Sequence, residues 1–113
     1  LYEVNMSILT RWGKAIETLN EDEMNACLHD NYKFTLHSAG KILTKKEVIT
    51  WAMSGDIIRK NVRILFENDE VGVEHAFVSF LDGNTQAVLA FLTYKDGQIY
   101  TAETGASNVP KDD

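Results

Sequence analysis

The C-terminal half of the chain consists of four runs rich in Val, Ile, Phe, Thr and Tyr, at about residues 57–67, 71–82, 85–95 and 98–105, divided by Asn68-Asp69, Asp82-Gly83 and Asp96-Gly97. Asn, Asp and Gly between β-rich runs are hairpin signals. The pattern predicts a four-stranded antiparallel meander, and the rest of the chain must pack on it.

Ahead of the meander the period changes. Ile8, Trp12, Ala15, Ile16 and Leu19 recur at helical spacing and predict an amphipathic helix over residues 3–19. Gly13 costs that helix about 1 kcal/mol relative to Ala, which points to a packing reason. Asn20 followed by Glu21-Asp22-Glu23 is a capping signal with acids in the first turn, where the helix dipole favours them. A short second helix to His29 is expected. Tyr32, Phe34 and Leu36 then alternate with Lys33, Thr35 and His37, the period of a strand with two unlike faces. After the turn Ser38-Ala39-Gly40, Thr44 and Glu47 have capping-box spacing and open a third helix to Ser54, ended by Gly55. Residues 1–105 read as one α+β domain, and 106–113, with the single proline Pro110, as a loose polar tail.

Hairpins with short loops would put Val62, Ile64 and Phe66 on one sheet face with Val73, His75, Phe77 and Ser79, then Val88, Ala90, Leu92 and Tyr94, then Ile99, Thr101 and Glu103. A slip of one residue in any hairpin exchanges the faces. Both faces are apolar in the middle and the helices can cover only one. The other is expected to meet a second subunit, since monomers rarely expose large apolar patches.

Seventeen acidic and eleven basic residues give a net charge of −6. An acidic chain with scattered basic residues is repelled by phosphate backbones and anionic lipid, so nucleic acid and membrane surfaces are poor partners. No apolar run approaches the roughly 18 residues of a membrane span and no charged-then-apolar leader is seen, which points to the cytoplasm. Cys27, the only cysteine, reads as a buried thiol. His29, His37 and His75 lack metal-ligand spacing, and no phosphate-cradling glycine loop or nucleophile elbow occurs, so no metal or cofactor is expected.

Two helices, a strand, a helix and a long meander resemble the cone-shaped domains of the nuclear transport factor 2-like superfamily, a cystatin-like fold that includes ketosteroid isomerases and SnoaL-like polyketide cyclases. The resemblance is carried by Arg11-Trp12, His29-Asp30-Asn31-Tyr32, Val73 to Phe80 (VEHAFVSF) and Lys95-Asp96-Gly97-Gln98-Ile99, and covers nearly the whole chain. It implies a curved sheet folded round helices, an apolar pocket inside the cone and dimers through the outer sheet face. The position of the isomerases' oxyanion-binding tyrosine falls on Trp12, that of the aspartate base on His37, and that of the second, protonated aspartate near Ala90, which has no proton to give. The pairing above sets Glu103 across from Ala90, as if the carboxyl had moved one strand over.

His37 therefore reads as a general base or as a strand-end histidine bonded to its turn. Glu103 reads as a proton donor in an apolar pocket, as a carboxylate at its mouth or as one paired with His75. Trp12, His75, Tyr94 and Thr101 are the expected ligand contacts, with Tyr32 and Tyr94 otherwise structural. The expected ligand is a small, largely apolar molecule, and the chemistry that would suit the site is proton transfer next to a carbonyl, as in an isomerase, cyclase or dehydratase. The alternative is a non-catalytic binding or dimeric interaction module.

Overall fold

The computed structural model describes residues 6–111; the start of the predicted first helix lies outside them. Helix α1 (Ile8–Glu17) begins at Ser7, whose hydroxyl accepts from the Thr10 amide, and buries Leu9, Trp12, Ala15 and Ile16 along one side. It ends before Leu19, which is exposed and left-handed (φ 51°) rather than part of the stripe. Asn20 caps α2 (Glu21–Cys27) by accepting from the Glu23 amide. Glu23 returns across the gap to Arg11, Nε and Nη2 each donating at 3.1 Å, which ties α2 to α1.

Strand β1 (Leu28–Leu36) turns through residues 37–40, Gly40 supplying a positive φ of 64°, into β2 (Lys41–Thr44). That short strand was not evident in the sequence. Thr44 then caps α3 (Lys45–Met53) in a complete capping box with Glu47. The meander follows as β3 (Ile58–Glu67), β4 (Val71–Ser79), β5 (Thr85–Lys95) and β6 (Gln98–Asn108), the last running three residues into the stretch read as tail. All six strands make one curved, open sheet in the order β2-β1-β6-β5-β4-β3, with β1 parallel to β6 and every other pair antiparallel. The helices pack on its inner face around Met24, Cys27, Leu28, Leu92 and Ile99.

Register decides which side chains face inward, and here the structure corrects the sequence. A two-residue Asp82-Gly83 turn would pair Leu81 with Asn84. Instead Phe80 and Asn84 close a five-residue loop, Phe80 N donating to Asn84 O, and Ser79 pairs with Thr85. All of β4 is thereby flipped: Glu74, Ala76 and Val78 face in, while Val73, His75 and Phe77 face out. Between β5 and β6 the Asp96-Gly97 turn does pair Lys95 with Gln98 and Tyr94 with Ile99. A bulge then shifts the ladder, so Ala90 lies opposite Thr104 and Glu103 lies opposite Phe91. Ile99 stays inward and fully buried, but Thr101 and Glu103 turn outward.

Candidate functional site

The inner face is built from small side chains at its centre. Ala76, Ala90, Ala102 and Ala106 stand where larger residues would meet the helices, and they leave a cavity of about 130 Å³. Its walls are otherwise mostly apolar, with Phe34 and Leu36 from β1, Val88 and Leu92 from β5, and Trp12 and Ile16 from α1, while Ser38, Gln86 and Thr104 add uncharged polar groups to the lining. Trp51 and Phe80 also line it, their rings parallel within 4° at 6.3 Å. Asp56 holds this aromatic pair by accepting from Trp51 Nε1 at 3.2 Å and from the Leu81 amide at 3.0 Å. Those two bonds, the backbone one first, draw the Asp56 carboxyl below its ordinary range.

One charged pair faces this apolar space. Arg59 Nη2 donates to Glu74 Oε2 at 2.7 Å, with side chains only 11% and 9% exposed. Arg59 projects from the start of β3 and its Nη1 lies against Gly13 of α1; a Cβ there would come within 3.1 Å. Gly13 is thus the packing concession that lets the guanidinium enter. Burial pushes the Glu74 carboxyl above its ordinary value, and the Arg59 charge and hydrogen bond pull it back only in part. Of the five N–H donors of Arg59, the bond to Glu74 is the side-chain hydrogen bond it makes among the described residues. Tyr32, nearly fully buried, also lines the cavity; burial first, then the Glu74 charge, raises its phenol, and no hydrogen bond engages the hydroxyl among the described residues. Arg59, Glu74 and Tyr32 give the cavity a carboxylate acceptor, a phenolic hydroxyl and uncommitted guanidinium donors.

Of the residues singled out from the sequence, Trp12 lines the cavity. His37 and Glu103 do meet, His37 Nε2 standing 2.8 Å from Glu103 Oε2, but on the outer face, with side chains 60% and 52% exposed. Thr101 shares a hydroxyl–hydroxyl bond with Thr93 on that face. His75 also lies there, edge-on to Phe77 at 5.1 Å, its Nδ1 buried without a partner among the described residues. Tyr94 is inward but remote from the cavity. Its hydroxyl donates to Glu67 Oε2 at 2.6 Å, and that oxygen also accepts from the Leu9 amide in the first turn of α1. Gly72 makes room for this phenol, since a Cβ would overlap its oxygen.

Arg59, Glu74 and Tyr32 were missed as site residues. A signal existed: Glu74 is a carboxylate inside the apolar run VEHAFVSF, where nothing but a partner or a purpose offsets its burial.

No family model matches the sequence, and no curated protein matches it. Solved structures do. A protein from Kribbella flavida DSM 17836, provisionally assigned as a ketosteroid isomerase, is 13% identical with a TM-score of 0.77, over 94% of this chain and 79% of that one. A nuclear transport factor 2-like protein of unknown function from Cytophaga hutchinsonii ATCC 33406 is 14% identical with a TM-score of 0.76, over 88% and 87%. A hypothetical protein with a ketosteroid isomerase-like fold from Catenulispora acidiphila DSM 44928, solved with trimethylamine, is 16% identical with a TM-score of 0.62, over 87% and 83%. With its N-terminal helices, open curved sheet and cavity between them, the chain adopts the nuclear transport factor 2-like, ketosteroid isomerase-like fold.

Proposed function

We propose that the cavity binds a small, largely apolar carbonyl compound and that Glu74 moves a proton beside its carbonyl. The observation that carries this reading is the Arg59–Glu74 pair itself. Desolvating two charges costs several kcal/mol per ion, and apolar residues of similar size are often at least as stabilising. Stability alone therefore gives this pair little reason to face a cavity. A carboxyl raised by burial above its ordinary value is a stronger base than an exposed one, and so better suited to take and return a proton. In the reaction Glu74 removes a proton from the carbon beside the carbonyl, and the electron pair moves onto the oxygen, where Arg59 and Tyr32 donate. Return of the same proton to another carbon of the conjugated system completes an isomerisation without net oxidation.

The outer sheet face is proposed to close against a second copy of the chain. It carries Phe66, Leu89 and Phe91, which are 55%, 48% and 42% exposed, alongside Val73 and Phe77. Sedimentation of wild type and Leu89→Glu tests this: a dimer dissociated by the substitution supports it, and a monomeric wild type rejects it.

Deuterium incorporation from D₂O into small ketones and enones, followed by NMR, tests the chemistry. Wild type is expected to accelerate exchange, Glu74→Gln to abolish the acceleration, and His37→Ala and Glu103→Gln to leave it intact. Loss in the His37 and Glu103 variants instead would move the chemistry to the outer pair. Acceleration of no compound by wild type would leave a non-catalytic binding module.

A further inference from the structure

The cavity also constrains the chemical class of its occupant, and this inference rests on reading it as a ligand site. Size is the first constraint. A cavity of about 150 Å³ lined by aliphatic and aromatic side chains admits benzene, and this one is about 130 Å³. Charge is the second. Arg59 and Glu74 neutralise each other at 2.7 Å, so a ligand with a net charge would leave one charge unmatched in an apolar surround. The polar end is the third. At the charged end Arg59 retains N–H donors and Tyr32 a free hydroxyl, apart from the uncharged Ser38, Gln86 and Thr104 elsewhere in the lining, so the groups left over beside the pair are mainly donors and call for an acceptor. Aromatic walls from Trp12, Phe34, Trp51 and Phe80 suit a flat body behind that acceptor.

We infer that the cavity takes an uncharged molecule of about one six-membered ring bearing a single acceptor oxygen, which Arg59 and Tyr32 hold while the ring lies among the aromatic walls. A fused multi-ring body exceeds the space. A carboxylate or an ammonium ion brings a charge the site does not balance.

The test follows the Trp12 and Trp51 indole N–H signals by two-dimensional NMR while the whole protein is titrated at pH 7 with cyclohexanone, cyclohexane, benzoate, cyclohexylamine, trimethylamine and a steroid diketone. Cyclohexanone is expected to shift both indoles and to bind at least about tenfold more tightly than any of the others. Tyr32→Phe is expected to weaken cyclohexanone about fivefold, the equivalent of one net hydrogen bond, with cyclohexane affinity unchanged. Tighter binding of benzoate, either amine or the steroid would overturn the inference and leave the cavity standing as a ligand site. Equal weakening of ketone and hydrocarbon by Tyr32→Phe would remove the hydroxyl from recognition and overturn it too. If cyclohexane and every other compound leave both indoles unmoved at millimolar concentration, the cavity takes no ligand and the underlying reading falls as well.

Discussion

The sheet carries two acid–base contacts of nearly equal length on opposite faces. Inside, Arg59 and Glu74 meet at 2.7 Å with about a tenth of each side chain exposed; outside, His37 and Glu103 meet at 2.8 Å with more than half exposed. Distance does not separate them, but environment does. In the single chain water screens the outer pair and hydrates either partner when the other is absent, whereas the inner pair has only the cavity. The same contact is thus a surface detail on one face and a chemical constraint on the other.

The largest break in that comparison is expected from Glu74→Ala. It leaves the guanidinium buried without a counter-charge and should cost about 3–5 kcal/mol in urea unfolding. The apolar double replacement Arg59→Met with Glu74→Leu should recover most of the loss. A double replacement as unstable as the single one would mean that the pair is needed for the fold.

The next effect is pH dependence. Because Glu74 titrates higher in the folded chain than in the unfolded one, its contribution is full below the unfolded value and is lost as pH rises through the folded value. Wild-type stability should therefore fall relative to Glu74→Gln as pH rises above the ordinary carboxylate range. Parallel stability curves for the two proteins would mean that Glu74 titrates normally.

On the outer face of the Leu89→Glu monomer, His37→Ala should cost less than about 1 kcal/mol, as for exposed ion pairs, and the cost should shrink further in high salt. A salt-insensitive cost above that would mean that this pair is covered in solution. The smallest effect is expected from Gly13→Ala, for which a helix interior normally gains about 1 kcal/mol. Here the new methyl presses on Arg59 Nη1, itself pinned by Glu74, so the gain should vanish. It should reappear when Arg59 is Met, a readout for whether the inner pair is as rigid as its geometry suggests.

Much of the architecture is legible in the sequence because local rules are strong. The Asn20 cap, the Thr44–Glu47 capping box and the Asn68-Asp69 and Asp96-Gly97 turns each mark a boundary the structure keeps, whereas β4 ends at Ser79, three residues before Asp82. The site is less legible, for a physical reason. In β4 both parities are apolar, Val73 and Phe77 against Ala76 and Val78, so alternation cannot choose a face and the choice passes to loop length and bulges. One five-residue loop and one bulge reverse β4 and the end of β6, exchanging His75 and Glu103 for Glu74 and Thr104 at the cavity. Strand β2 was missed because four residues with an exposed Ile42 carry little burial signal. Arg59 was missed because its role depends on Gly13, 46 positions earlier, a pairing that no local pattern expresses.

The parallel pairing of β1 with β6 has a kinetic consequence. Among the described strands, β6 is the sole link between the β1–β2 hairpin and the meander, and its register joins Leu28 to Ile99, both fully buried. Closing that contact requires a loop of about seventy residues, and non-local contacts of this kind slow folding towards milliseconds to seconds. On the ribosome the helices and early strands would wait as separate pieces for β6 to emerge. Until then the apolar floor of the sheet stays open to other chains, so the nascent protein should depend most on chaperones in the interval before β6 docks.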